Sequence, residues 1–274
     1  MLETTYGDAK RLAFLRRIIE ARTPAQILDI GCGTGTRVTR PLADAFPSVR
    51  FLGVDADETS IAWARGNNRD RDNLSFAALG SLAAGQRFDL VIASEVIEHV
   101  ADPFGFLLDL RGRLTAEGAI AVTLPNGFGP FEAMALTECL LHLSRLQSVL
   151  RWLKYKMLGR SVPPGAGDVD TLAVSPHVNF FGIGEITGLF TAAGLRVLQS
   201  ENRTALCGYI LDDLIRGRRL IEWNARIADR LPAWSVSDWM FELEPVGAPG
   251  AAGWRRGRWA RFRKRLNEQR WGIA

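Results

Sequence analysis

The sequence contains little cysteine and no hydrophobic run long enough to cross a membrane. Its three cysteines, Cys32, Cys139 and Cys207, are scattered and odd in number, so neither a disulfide framework nor a cysteine zinc site is expected. The most apolar stretch, residues 133–143, is interrupted by polar side chains and is too short for a membrane helix. The N-terminal residues do not have the basic and then apolar layout of a signal peptide. These absences predict a soluble protein of the reducing cytoplasm.

Positive charge is concentrated near the C-terminus. Residues 246–274 contain eight Lys or Arg residues and one acid, so the formal charge of +4 comes from this segment and the remainder is net acidic. Tryptophans are interleaved with the arginines over residues 254–271. Such a segment either stays solvated, docks on the protein itself or contacts an anionic membrane surface. The net acidic remainder argues against an extended groove for nucleic acid.

Short apolar runs alternate with amphipathic segments over the first 125 residues. This alternation is typical of a parallel sheet covered by helices, which is the α/β class. Strands are predicted at residues 26–30, 49–54, 74–78, 88–93 and 119–124, and helices at 9–21, 36–46, 58–67 and 103–114. The pattern breaks over residues 128–176 and then resumes. Further helices are predicted at 132–158, 185–193 and 211–229, and further strands at 195–199 and 236–243.

A glycine-rich turn follows the first predicted strand. Gly31, Gly33 and Gly35 come directly after Asp29 and before a predicted helix. Glycines let the backbone approach a ligand closely, and the helix start offers unpaired N–H groups. Asp55 ends the second predicted strand, where an acid accepts hydrogen bonds from ribose hydroxyls. These features together predict a nucleoside-containing ligand.

Two adenosine-containing ligands compete for this turn. A dinucleotide fingerprint needs Gly or Ala at position 36, where this chain has Thr36. Asp29 would repel a pyrophosphate, whereas it suits a cationic amino acid group. The turn therefore favours a ligand with adenine, ribose and a methionine-like ammonium over NAD.

Four ordered motifs resemble those of class I S-adenosylmethionine-dependent methyltransferases. They are ILDIGCGTG at residues 27–35, GVDAD at 53–57, FDLVIASEVIEHV at 88–100 and LPNG at 124–127. The resemblance implies a doubly wound, Rossmann-like sheet of seven mostly parallel strands, with the last strand antiparallel. It also implies a methyltransferase domain at residues 1–245, with a helical lid or insert at 128–176. Residues 246–274 are then a basic, Trp-rich C-terminal extension.

The resemblance implies how S-adenosylmethionine binds. Asp29 and the glycine turn would hold its methionine portion, Asp55 its ribose, and Ser94 with Glu95 would lie beside the sulfonium. No acid follows the third predicted strand, so backbone atoms near Leu79 or the Ser81 hydroxyl would contact the adenine. The predicted cofactor-binding set is Asp29, Gly31, Cys32, Gly33, Gly35, Asp55, Ala56, Leu79, Ser81, Ser94 and Glu95.

Acids and histidines cluster after the fourth predicted strand. Glu95, Glu98 and His99 follow this strand, and His177 precedes the helix predicted at 185–193. In one interpretation Glu98 and His99 only stabilise the loop. In a second, His99 or His177 is a general base that Glu95 orients. In a third, all four residues bind a divalent metal, as in the similar small-RNA 2′-O-methyltransferases. We select His99, Glu95 and His177 as catalytic residues and assign no metal ligand.

The sequence thus predicts a methyltransferase that uses S-adenosylmethionine to methylate an oxygen of a small or lipid-linked acceptor. N-methylation stays open, because a single sequence does not show the acceptor pocket. One alternative is a metal-dependent RNA 2′-O-methyltransferase. Another is a catalytically silent S-adenosylmethionine-binding module that acts at a membrane or a protein partner.

Overall fold

The computed structural model describes residues 4, 6–83, 85–144, 177–207, 215, 217–250 and 255–271. Its strands are β1 Gln26–Ile30, β2 Arg50–Asp55, β3 Leu74–Ala78, β4 Phe88–Ser94, β5 Leu114–Pro125, β6 Leu195–Asn202 and β7 Asp238–Pro245. They form one sheet in the order β3-β2-β1-β4-β5-β7-β6. Six strands are parallel to one another, and β7 runs antiparallel between β5 and β6. The predicted Rossmann-like sheet with an antiparallel last strand is confirmed.

Helices cover both faces of this sheet. They are α1 Asp8–Arg22, α2 Thr39–Ala45, α3 Glu58–Gly66, α4 Pro103–Gly112, α5 Pro130–Leu143, α6 Ile183–Ala192, α7 Arg218–Ala228 and α8 Arg258–Trp271. Successive strand residues point to opposite faces, so the apolar residues of β1, β4 and β5 divide between two clusters. Helices α1 to α3 contribute to one cluster, whereas α4 and α6 contribute to the other. Over the described residues, no helix combines the length and apolar character that a membrane crossing requires.

Some element bounds differ from the sequence predictions. Helix α2 begins at Thr39 instead of residue 36, because turns after the glycines occupy residues 34–38. Strand β5 begins at Leu114, five residues before the prediction, and its pairing with β4 shifts register near its start. Helix α5 covers the beginning of the helix predicted at 132–158. Residues 145–176, which hold the rest of that helix and most of the predicted lid, lie outside the described residues.

Within the predicted C-terminal extension, residues Arg258–Trp271 form helix α8, which packs against α5. Ala260 and Arg263 face inward and are 3% and 2% exposed, respectively. Trp259 and Phe262 face outward and are 39% and 49% exposed. Docking on the protein itself, one of the alternatives considered from the sequence, therefore holds for α8, and the docked face is the one that carries Ala260 and Arg263. Trp254 lies outside the described residues.

Candidate active site

The predicted site residues lie at the carboxyl edge of the parallel strands. Strand order reverses between β1 and β4, which pair side by side through Ile30 and Ala93. A crevice opens at such a reversal in doubly wound sheets, and ligands bind there. Asp55 ends β2 and Ser94 ends β4, so both residues flank this crevice.

The glycine turn adopts a backbone that requires glycine. Gly31, Gly33 and Gly35 have φ angles of 73°, 54° and 72°. A Cβ atom at Gly31 would lie 2.4 Å from the side chain of Val96, and one at Gly35 would lie 2.5 Å from the Phe76 ring. Gly33 instead borders open space, because no atom of the described residues beyond its chain neighbours lies within 4 Å of a Cβ built there. The turn is thus tightly packed against the protein at Gly31 and Gly35 and open at Gly33, and this opening allows the close approach of a ligand.

Asp55 connects the glycine turn to the next loop. Its Oδ2 accepts a hydrogen bond from the Gly33 N–H at 2.7 Å, and its Oδ1 accepts one from the Asp57 N–H at 2.9 Å. Asp57 in turn caps α3 by accepting the N–H groups of Thr59 and Ser60. Ala56, between the two acids, is exposed. The acid predicted for the ribose therefore also sets the geometry of the glycine turn.

Asp29 is buried beneath the same turn. It is 1% exposed, and its Oδ2 accepts a hydrogen bond from the Thr39 hydroxyl at 2.6 Å. Burial raises the pKa of Asp29 to about 7, although Thr39 and Arg11 oppose the shift. The neighbouring Cys32 is half-buried, and burial raises the pKa of its thiol as well. A cation bound at the turn would consequently stabilise the ionised form of Asp29.

The segment predicted to contact adenine forms a short turn after β3. Residues Leu79–Ser81 make a single turn of 3₁₀-helix. Leu79 is 39% exposed, and the Ser81 hydroxyl donates to the Ala78 carbonyl at 2.7 Å. The turn thus presents an apolar side chain and backbone groups at the edge of the crevice.

Glu95 forms an ion pair with Arg203 at the end of β4. It has a φ of 58°, a left-handed conformation that is unusual for a residue with a side chain. Its Oε1 accepts hydrogen bonds from Thr123 and Arg203, at 2.8 and 2.9 Å. Burial alone would raise the pKa of Glu95, but Arg203 and Arg11 outweigh it and lower this pKa. Arg203 also binds Asp238, at 2.9 Å, and the Ser94 hydroxyl pairs with Thr123.

Glu98, His99 and His177 form a compact group. One ligand-type atom from each residue lies within 4.8 Å of the others, and the two imidazole centroids are 4.9 Å apart. Residues 97–99 form a turn and not the start of a helix, with the His99 N–H bonded to the Val96 carbonyl. Glu98 is 1% exposed, and neither of its carboxylate oxygens has a hydrogen-bond partner among the described residues. Burial, followed by the charge of Glu95, raises the pKa of Glu98 to about 8.

A second carboxylate holds the ring of His177. The Nδ1 atom of His177 lies 2.6 Å from Glu132 Oε1, and both side chains are buried. Burial alone would lower the pKa of His177, but the charge of Glu132 and its hydrogen bond outweigh burial and raise this pKa. The other oxygen of Glu132 lies 2.7 Å from an Nη atom of Arg263 in α8.

The two site loops are joined by Asn179. Its side-chain amide donates to the carbonyls of Ile97 and Val100, at 3.0 and 2.7 Å, and its backbone N–H donates to the Glu98 carbonyl. The sequence predictions did not include Asn179, Glu132, Arg203 or Arg263. Their partners are distant along the chain, and no periodicity or motif marked them. Only the position of Asn179, two residues after the predicted His177, gave any signal.

A family model described as a methyltransferase domain matches residues 6–200 of this chain. The chain belongs to this methyltransferase family. The predicted membership of the class I S-adenosylmethionine-dependent methyltransferases is thereby confirmed. Residues 201–274 of the methyltransferase, including Arg203 and α8, lie beyond the matched region.

Curated relatives match about half of this methyltransferase. A ubiquinone biosynthesis O-methyltransferase of Cereibacter sphaeroides is 35% identical over 134 residues, which are 47% of this chain and 49% of the relative. A malonyl-[acyl-carrier protein] O-methyltransferase of Acetivibrio thermocellus is 31% identical over 149 residues, which are 54% of this chain and 48% of the relative. The chain therefore spans about half the length of the curated relatives that it matches.

Solved structures share the fold of the methyltransferase. PKMT2 from Rickettsia typhi gives a TM-score of 0.56 at 17% identity, covering 93% of this chain and 56% of that one. An S-adenosylmethionine-dependent methyltransferase from Clostridium acetobutylicum gives 0.53 at 10% identity, covering 89% and 92%. At such identities the likeness concerns the fold alone.

Proposed function

We propose that this chain is an S-adenosylmethionine-dependent O-methyltransferase that acts on a small or lipid-linked acceptor. The observation that carries the proposal is the glycine turn bonded to Asp55 at the strand-order reversal, with two histidines across the same edge of the sheet. The names of the curated relatives support oxygen as the methylated atom. The acceptors in those names belong to the relatives, and the acceptor class is our inference.

In this proposal, S-adenosylmethionine lies along the carboxyl edge of β1, β2 and β4. Its ammonium group faces Asp29, its ribose hydroxyls bind Asp55, and its adenine lies against the turn at Leu79–Ser81. The open side of Gly33 leaves room for the methionine portion. Ser94 lies on the path to the sulfonium. Asp29 supports the polarity of this arrangement, because its buried carboxyl has a pKa near neutrality and gains a partner when a cation binds.

The chemical step needs one proton acceptor. The acceptor oxygen forms a bond to the methyl carbon as the bond from that carbon to sulfur breaks, and the electron pair stays on sulfur as S-adenosylhomocysteine forms. The hydroxyl proton moves to a neutral imidazole, for which His99 and His177 are the candidates. His99 is the more exposed of the two, with 21% of its side chain accessible, so it is placed to meet the acceptor. Alignment and exclusion of water supply the remainder of the catalysis.

Glu95 has a different role in this proposal from the one predicted. Its carboxylate is occupied by Arg203 and Thr123, so it stabilises the left-handed bend after β4. That bend positions Glu98 and His99 at the site. Glu95 therefore orients the loop that carries His99 and does not need to contact the imidazole.

A lipid-linked acceptor is supported by the exposed surface of α8. Phe128 follows the end of β5 by three residues and is 59% exposed. Its ring stacks on that of Trp259 at a centroid distance of 6.5 Å. Arg258 and Arg261 are exposed on the same helix. We place an anionic membrane surface against this part of residues 254–271. No disulfide joins Cys32, Cys139 and Cys207, all of which lie among the described residues, and this fits a cytoplasmic location.

A divalent cation bound by Glu98, His99 and His177 is a second candidate feature. One carboxylate and two imidazoles are a suitable ligand set, and the buried Glu98 oxygens have no hydrogen-bond partner among the described residues. A bound cation would lower the pKa of an acceptor hydroxyl in such a site. Calorimetric titration with Mg²⁺ and Mn²⁺ tests this: binding that Glu98→Gln abolishes supports the site, and identical titrations of both proteins exclude it.

A calorimetric titration with S-adenosylhomocysteine, with NADH as the control ligand, tests the main proposal. We expect micromolar affinity for the first and no binding of the second. An acceptor screen with phenolic and acyl-linked hydroxyl compounds follows, with and without divalent metal. Failure to bind S-adenosylhomocysteine would mean that the glycine turn serves another ligand or none. Binding without any transfer would favour the catalytically silent module.

A further inference from the structure

Helix α8 lies outside the matched family region and is connected to His177 in two ways, one direct and one through Glu132. Arg263 reaches the histidine side chain indirectly, through Glu132. Asn267, one helical turn further on, donates its side-chain amide to the His177 carbonyl at 3.1 Å. Both residues lie on the inner face of α8. The helix therefore holds the ring of His177 through one residue and its backbone through another.

The ring contact leaves only one nitrogen of His177 available for chemistry. Glu132 is positioned to accept the Nδ1 proton at 2.6 Å, so the lone pair of neutral His177 resides on Nε2. A histidine that acts as a base or a ligand depends on such a partner to fix its tautomer and ring orientation. Glu132 performs that task for His177.

Arg263 completes the arrangement by compensating the charge of Glu132. One Nη atom binds Glu132 Oε2 at 2.7 Å, and the other donates to the Glu132 carbonyl at 3.1 Å. The guanidinium also lies 4.7 Å from the centroid of the Phe180 ring. Both charged side chains of the pair are only 2% exposed. Removing either partner alone would leave a buried charge without compensation.

A buried ion pair is a costly way to attach a helix. Apolar residues of similar volume usually stabilise such a position equally well or better. A pair that also ends on a site histidine has a use that apolar residues lack, because the carboxylate accepts the Nδ1 proton and the guanidinium compensates the charge of that carboxylate. We infer that α8 is part of the active site, and that Arg263 is a positioning residue that fixes the tautomer of His177 through Glu132.

This inference rests on the proposed function only for the use made of His177. Its geometric content is independent of the acceptor and is testable without one. The chain has three histidines, so a long-range proton–nitrogen NMR spectrum of protein labelled in histidine separates their tautomers. The spectrum is recorded on the full chain at about pH 9, where neutral imidazole predominates.

The decisive variant replaces the ion pair by apolar side chains, Glu132→Leu with Arg263→Met. We expect it to unfold at the wild-type temperature or above, because it removes two buried charges together. We also expect His177 to lose its uniform Nδ1–H signature. The single variant Arg263→Lys keeps a cation but loses the two-pronged contact, so it should retain the signature in part. Arg261→Met, on the exposed side of the same helix, is the matched control and should leave the signature unchanged.

Each result decides a separate question. If the double variant keeps the Nδ1–H tautomer of His177, or if wild-type His177 carries its proton on Nε2, the positioning role is wrong. With an acceptor from the screen, the double variant should lose at least tenfold in kcat, while its affinity for S-adenosylhomocysteine should change less than about twofold, which corresponds to about 0.4 kcal/mol. An equal loss of affinity and turnover would make the pair merely structural. Absence of S-adenosylhomocysteine binding in the wild type would overturn the proposed function and leave the tautomer result intact.

Discussion

At the scale of single residues, Asp29 has the most informative electrostatics. It is 1% exposed, and the Thr39 hydroxyl donates a hydrogen bond to it. Its pKa is raised from an ordinary value of 3.8 to about 7 because burial penalises the charged form. A ligand ammonium would reverse that penalty, because it interacts only with the ionised carboxylate. Ligand affinity and the protonation of Asp29 must therefore be linked.

We predict that affinity for S-adenosylhomocysteine rises with pH in the wild type and does not in Asp29→Asn. Below about pH 7 the free protein must release the Asp29 proton in order to bind, so affinity falls by up to about tenfold per pH unit. Above that pH the carboxylate is already ionised and affinity levels off. Calorimetry in buffers of different ionisation enthalpy measures both the affinity and the proton released. A wild-type affinity that is flat through this range would contradict the assignment of Asp29.

We predict that Asp55→Ala and Gly33→Val each weaken S-adenosylhomocysteine binding at least tenfold, about 1.4 kcal/mol. Replacing Asp55 by alanine removes the predicted ribose contact and the hydrogen bond to the Gly33 N–H. Valine at position 33 would be strained at a φ of 54° and would fill the open side of the turn. Gly85→Ala, an exposed glycine with open space around it, is the matched control. If both test variants bind S-adenosylhomocysteine with wild-type affinity, the ligand does not bind at this turn.

We predict that His99→Ala lowers turnover much more than affinity for S-adenosylhomocysteine. His99 lies with Glu98 and His177 across the edge from the glycine turn, so it should meet the acceptor and not the cofactor. Steady-state kinetics with an acceptor from the screen, together with calorimetry, separate the two quantities. A parallel loss of both would assign His99 to holding the loop, which is the first of the interpretations left open by the sequence.

At the scale of elements, the segment that follows His177 is packed tightly against the end of β5. A Cβ atom at Gly127 would lie 2.4 Å from the Phe180 carbonyl carbon and 2.5 Å from the Phe181 nitrogen. Neither is the end of a flexible side chain, so the two segments would have to separate. The close approach places Phe180 and Phe181, both buried, directly after the loop that carries His177 and Asn179.

We predict that Gly127→Ala lowers the free energy of unfolding by about 1–3 kcal/mol, as overpacking does. Gly188→Ala should raise it by about 0.5–1 kcal/mol, because Gly188 lies in α6 with open space around it and alanine favours the helix. Urea denaturation at equilibrium measures both variants. If Gly127→Ala proves as stable as the wild type, the two segments do not pack as described.

The sequence predicted the regular elements well and the polar network poorly. Strands β1 and β3 have the predicted bounds, because alternating buried runs and flanking turn residues are local signals. The partners of His177 and Glu95 were missed, because Arg263 is 131 residues from Glu132 and Arg203 is 108 residues from Glu95. Nothing in local periodicity reports such pairs. The motif that contains Glu95 and His99 likewise does not reveal that Arg203 and Thr123 bind the Glu95 carboxylate.

At the scale of the whole molecule, charge and exposed aromatic surface coincide at α8. The basic residues that make the chain cationic lie in residues 246–274, whereas the remainder is net acidic. On α8, Trp259 and Phe262 point outward, and the exposed Arg258, Arg261 and Arg265 flank them. Because α5 and the loop of His177 pack against the inner face of α8, the face available to a partner is the outer one, as far as the described residues show.

We predict that the protein binds vesicles containing phosphatidylglycerol and not vesicles of phosphatidylcholine alone. Each exposed Arg contributes about 1 kcal/mol near an anionic surface, and the aromatic rings add apolar burial. Raising the salt concentration to about 1 M should abolish binding, because the Debye length falls to about 3 Å. The double variant Trp259→Ala, Phe262→Ala should bind at least tenfold more weakly, whereas Trp63→Ala, which removes an exposed tryptophan from α3, should bind normally. If the protein co-sediments equally with both kinds of vesicle, or with neither, the proposed contact with an anionic membrane is wrong. A freely diffusing acceptor would then be favoured.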